Sequence, residues 1–125
     1  ADIDNDGDID VIVSNNHGQA NLLINEGKPI NNWIGLQLNG RLYNIDSIGA
    51  KVWVKTQSGV QWAMVNPTAS YLSSNDKRLQ FGLGKDIRVD EIIIAWPGGG
   101  VDRIEDIEPN HYYLIQPGGA ISTIW

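Results

Sequence analysis

Residues 49–65 read Gly-Ala-Lys-Val-Trp-Val-Lys-Thr-Gln-Ser-Gly-Val-Gln-Trp-Ala-Met-Val, two β-branched and aromatic runs around Gln57-Ser58-Gly59. Side chains alternate across a strand, so Val52 and Val54 take one face while Lys51, Trp53 and Lys55 take the other. A glycine-containing turn between two such runs predicts a β-hairpin. Residues 91–107, Glu-Ile-Ile-Ile-Ala-Trp-Pro-Gly-Gly-Gly-Val-Asp-Arg-Ile-Glu-Asp-Ile, repeat the design around Pro97 to Gly100.

Working outward, the same signals predict strands at 9–15, 20–26, 32–39, 49–56, 59–66, 78–84, 89–96, 101–107 and 111–116. Clusters of Gly, Asn, Asp and Pro separate them, and no window sustains capped helical periodicity over three turns. The reading is all-β: an antiparallel β-sandwich of two packed sheets, with Phe81 and Trp96 in its core.

The 125 residues are 42% hydrophobic and 19% charged, enough for a globular core. The net charge is −6, and the first ten residues hold five of the 15 acidic groups, leaving ten against nine basic residues elsewhere. No basic stripe suits nucleic acid, and no apolar run or basic amphipathic helix points to membrane insertion. Cysteine is absent, which removes disulfides and thiolate chemistry. A first residue of Ala and an acidic loop standing first suggest a piece of something longer.

That loop is Asp2-Ile3-Asp4-Asn5-Asp6-Gly7-Asp8-Ile9-Asp10. Carboxylates at loop positions 1, 3, 5 and 9, with glycine at 6, follow the spacing by which a short loop wraps oxygen ligands around Ca²⁺. Asp2, Asp4, Asp6 and Asp10 would bring carboxylates, and Asp8 at position 7 a backbone carbonyl. Ile9 is expected to tuck inward against the neighbouring strand. Position 12 is Val13, where an EF-hand has a bidentate glutamate, and a strand follows in place of a helix. The expected affinity is therefore weak, on the order of 10⁻⁴ to 10⁻³ M, a range that fills outside cells and stays empty in cytosol. Mg²⁺ fits less well because it demands stricter octahedral geometry.

The stretch from Asp2 to Gly27 resembles the end of an FG-GAP/VCBS repeat of the integrin-α-like β-propellers, whose Asp-rich loop precedes a strand. The body, about residues 32–117, resembles the ASPIC/UnbV domain found after such repeats in cartilage acidic protein and in many bacterial secreted proteins. Its landmarks are Asn32-Trp33, Ile48-Gly49-Ala50-Lys51-Val52, Tyr71-Leu72-Ser73-Ser74, Leu79 to Gly84, and Val89 through Trp96-Pro97. Two positions depart from the family pattern: Ser70 stands where glycine is usual, and Ile45 follows Asn44 where arginine is common. The resemblance implies two units, a calcium-loop hairpin from a truncated propeller blade at 1–27 and a sandwich at 28–125. The segment Gly27-Lys-Pro-Ile-Asn-Asn32 would link them.

Catalytic patterns are weak. His17 and His111 lie far apart, and Ser70, Ser73 and Ser74 fall outside any nucleophile elbow. Gly82 to Lys85 lacks full phosphate-loop spacing. Asp90, Glu91, Asp102, Glu105, Asp106 and Glu108 read as a solvated strand face. Asn66-Pro67-Thr68 is no glycosylation acceptor, because proline occupies its middle. The expectation is a non-catalytic, calcium-binding module of a secreted or periplasmic protein, meeting an extracellular protein or matrix, with its exposed strand edge available for self-association. One alternative is carbohydrate recognition, with Trp53, Trp62 and Tyr71 as the stacking surface. Another is an accessory domain of an exported enzyme.

Overall fold

The computed structural model describes residues 1–27, 30–68 and 70–125. Part of the expected linker, Lys28 and Pro29, lies outside the described residues. Among the described residues ten strands follow one another: β1 (Val11–Val13), β2 (Asn21–Leu23), β3 (Asn32–Leu38), β4 (Lys51–Thr56), β5 (Gly59–Met64), β6 (Leu79–Gly84), β7 (Val89–Ala95), β8 (Val101–Ile107), β9 (Tyr112–Gln116) and β10 (Ala120–Thr123). Among the described residues there is no α-helix.

Strands β1 and β2 form a separate antiparallel ribbon. The other eight make two four-stranded sheets, in the orders β10-β9-β3-β6 and β5-β4-β7-β8. Alternation drives their packing: Val52 and Val54 of β4, Ile92 and Ile94 of β7, Ile34 and Leu36 of β3, and Phe81 of β6 all join one buried cluster. Trp96 is in it too. Apolar faces of both sheets share this core, giving a sandwich-like all-β fold.

Both expected hairpins form, β4 to β5 and β7 to β8. Gly98, Gly99 and Gly100 all adopt positive φ, which explains three consecutive glycines in the second turn. Two expectations are corrected. The sheets are not wholly antiparallel, because β3 and β9 run parallel, Gly35 opposite Tyr112. A crossover pairs strands more than seventy residues apart, and local periodicity carries no record of it. The tenth strand, β10, was also not expected; it folds back on β9 through Pro117-Gly118-Gly119 and becomes that sheet's edge strand.

Candidate metal centre

The acidic loop is folded by its own aspartates. The backbone N–H of Asp10 donates to the Ala1 carbonyl at 2.7 Å, closing the loop at its base. Asp10 accepts from Ile3 N–H at 2.7 Å on one oxygen and from Asn25 N–H at 2.9 Å on the other. Asn25 follows β2, so Asp10 also ties the loop to the ribbon. Asn5 and Gly7 take positive φ and turn the chain sharply.

Asp2, Asp4 and Asp10 come together, with one carboxylate oxygen from each lying within 4.8 Å of the others. Oxygens bound about 2.4 Å from one Ca²⁺ stand at most about 4.8 Å apart, so the set fits a single shared cation. Asp2 and Asp10 are only 1% and 2% exposed. Asp6 and Asp8 stand outside this trio: Asp6 turns its Oδ1 back to accept the Asp8 N–H at 2.9 Å. Ile9, expected to tuck inward, is 55% exposed. Asp10 is the residue held inward, by the Ile3 and Asn25 N–H groups, and Ile9 is left facing out.

The electrostatics are those of a crowded anion set. Loss of hydration, then the charge of Asp6, raise the Asp4 carboxyl above its ordinary value, with Asp10 and Asp2 adding to the rise. The Ile3 and Asn25 N–H groups hold the Asp10 carboxyl below its ordinary value. Asp2 accepts from Gly7 N–H at 2.9 Å and from the Tyr112 hydroxyl at 2.8 Å, both on Oδ2. Its Oδ1 is buried and has no hydrogen-bond partner among the described residues. An unpaired buried oxygen on a three-carboxylate cluster is what a hard cation would satisfy.

The sandwich grips this loop from three strands. Trp33 of β3 lies against Gly7, where an added Cβ would overlap the indole. Arg78, just before β6, donates to the Asp2 carbonyl and, at 2.5 Å, to Asn5 Oδ1. Gln80 of β6 donates to the Gly7 carbonyl. Tyr112 of β9 reaches Asp2, while the Arg78 guanidinium sits 4.6 Å over the Tyr112 ring. Burial works against the charge on Asp76, but the Arg78 hydrogen bond at 2.7 Å and its positive charge prevail and hold that carboxyl low.

None of Trp33, Arg78, Gln80 or Tyr112 was expected at the site. One usable signal existed for Arg78, a cation ahead of a strand in a chain whose surplus acid sits at residues 2–10. The contacts themselves span more than seventy residues for Arg78, Gln80 and Tyr112.

The family described as ASPIC and UnbV matches residues 40–122, about two-thirds of the chain. The chain belongs to this family. Its ASPIC/UnbV segment runs from before β4 into β10, whereas the expectation from landmarks was about 32–117. Curated proteins give no match. The acidic loop precedes the ASPIC/UnbV segment, but Arg78, Gln80 and Tyr112 lie within it.

The aromatic candidates divide. Trp53 and Trp62 are direct partners across β4 and β5, and Trp62 is 63% exposed. Tyr71 is also exposed, outside any strand. Among the carboxylates considered for hydrolysis, Asp102 accepts from Trp96 Nε1–H at 2.7 Å and Gly118 N–H at 2.8 Å, so it holds a turn together. Glu91 pairs with Arg103 at 2.6 Å, and Asp106 with Arg88 at 3.1 Å. The His111 Nδ1 lies 2.9 Å from the Pro109 carbonyl, and Ser73 Oγ donates to the Tyr71 carbonyl.

Proposed function

We propose that this ASPIC/UnbV protein is a non-catalytic calcium-binding module of a secreted or periplasmic protein, serving protein–protein or matrix contact. The observation that carries the reading is Asp2 Oδ1, buried and unpartnered on a carboxylate that meets Asp4 and Asp10. Leaving a charged oxygen buried and unpaired costs upwards of about 1–3 kcal/mol, which a bound cation would recover. Carboxylates plus nearby carbonyls suit Ca²⁺, with its irregular oxygen shell, better than Mg²⁺. A weak site of this kind fills in the millimolar calcium outside cells, which supports the location.

Residues 1–27 read as the closing end of an FG-GAP/VCBS-type repeat. The β1–β2 ribbon supports this, since Val11, Ile12, Val13, Leu22 and Leu23 are all exposed. A two-stranded ribbon is marginal alone and gains by packing against further strands.

Calorimetric calcium titration tests the reading. Saturable binding by the intact chain, lost in Asp4→Ala, with a higher melting temperature in calcium than in chelator, is the expected result. A titration with no heat and no thermal shift overturns it.

A second reading, carbohydrate recognition, has one observation in its favour: Trp53 beside the exposed Trp62 on the outer face of a sheet. Glycan-array binding that disappears in Trp62→Ala supports it, and an array without signal from the intact chain rejects it.

A further inference from the structure

We propose that the sandwich completes the metal centre, so that a cation bound by the loop fixes the loop and its ribbon onto the sandwich through Asp2. This inference rests on the calcium reading above and deepens it by assigning Tyr112 and Arg78 as positioning residues.

Asp2 is the joint. On the loop side its carboxylate belongs to the trio with Asp4 and Asp10. On the sandwich side its Oδ2 accepts from the Tyr112 hydroxyl at 2.8 Å and its carbonyl accepts from Arg78. The Oδ2 also accepts the Gly7 N–H, so that oxygen is spoken for by two donors. The carboxylate plane is thereby fixed, and Oδ1 is the atom left for a cation. Groups behind a ligand that fix its rotamer typically govern metal affinity by roughly 10–100-fold.

Tyr112 is suited to the task. Its side chain is 1% exposed, and its ring is wedged between Trp33, 5.0 Å away, and the Arg78 guanidinium. Arg78 is held in turn by Asp76 at 2.7 Å. The chain of contacts runs from β9 and the start of β6 to the cation ligands without a gap. Linkage then works in both directions: ordering the loop on the sandwich favours the cation, and the cation favours the docked loop.

Calcium calorimetry and melting curves on the intact chain, Tyr112→Phe and Arg78→Met test this, with hydrogen exchange as a further readout. Tyr112→Phe is expected to bind calcium about tenfold more weakly. It should melt near the parent temperature in chelator while losing most of the calcium-dependent rise. A merely structural hydroxyl would do the reverse, lowering the chelator melt and leaving the calcium rise intact, and that result overturns the proposal. In the intact chain calcium should slow exchange at Arg78–Gln80 and Tyr112 as well as in the loop; in Tyr112→Phe it should slow the loop alone. If Tyr112→Phe does not fold, Arg78→Met is judged by the same criteria. Absence of binding by the intact chain is a different failure, that of the calcium reading itself, and takes this proposal with it.

Discussion

Gly35 and Tyr112 face one another across the parallel pair of β3 and β9, and the Tyr112 ring occupies the space where a side chain on Gly35 would stand. Glycine in mid-strand ordinarily weakens a sheet. Here its missing Cβ lets the ring approach the backbone closely, from where the hydroxyl reaches Asp2. Gly35→Ala is therefore expected to destabilise the fold by about 1–3 kcal/mol through overpacking, although alanine normally costs less than glycine within a strand. Urea denaturation measures it, and an alanine variant as stable as the parent would contradict this placement of Tyr112.

Gly7 and Trp33 form the second close approach between loop and sandwich. Gly7 has a φ of 97°, and any side chain there would drive into the indole. Gly7→Ala should cost on the order of 2–4 kcal/mol in docking the loop, from backbone strain together with overpacking. Because Trp33 is buried under the loop, its fluorescence should shift red in the variant as water reaches the ring. An unchanged emission maximum would mean the loop stays seated.

Nine of the ten strands were legible in the sequence because each carries its own alternation or turn chemistry, as Val52 and Val54 do around Trp53. The tenth was hidden by its place: Ala120 to Thr123 stands behind a double glycine that reads as the start of a tail. The trio Asp2, Asp4 and Asp10 was contained in the expected set, since loop spacing is local information. Orientation within the loop was not legible. Asp6 is turned to the Asp8 N–H and Ile9 to solvent by hydrogen bonds and packing that no spacing rule encodes. The seat for the loop was least legible, because Tyr112 and Arg78 meet Asp2 only through the folded sheets.

Acid should weaken the metal site through Asp4. Its carboxyl is raised above the ordinary aspartate value, so in the cation-free fold it takes up a proton before an unfolded aspartate would. Its charged form therefore lowers the stability of the cation-free fold as pH rises from the ordinary aspartate value through that raised value, and a bound cation removes this penalty. Asp10 runs the other way: its depressed value contributes stability present above the ordinary aspartate value and lost as pH falls through the depressed one. The gap between melting temperatures in calcium and in chelator should thus be wide at pH 7 and narrow as pH falls towards Asp4's raised value. Paired melting scans across that interval measure it, and a gap constant with pH would exclude Asp4 as a ligand.

The β1–β2 ribbon should make the isolated chain self-associate. Ile12 and Leu22 are direct partners on one face of the ribbon, while Val11 and Leu23 share the other, and all four are exposed. Both faces and both edges of a two-stranded ribbon thus remain open to another chain. Replacing Ile12→Lys together with Leu22→Glu keeps a favourable cross-strand pair while removing two apolar side chains, each contributing roughly 1.5–3 kcal/mol when buried. Association should weaken by about a hundredfold or more, at 1.4 kcal/mol per tenfold. Sedimentation velocity over a concentration series reads this directly: the parent should show a concentration-dependent dimer and the double variant a monomer. A parent that stays monomeric throughout would show that the ribbon tolerates water on both faces, and the repeat reading proposed above would lose the support it draws from these exposed side chains.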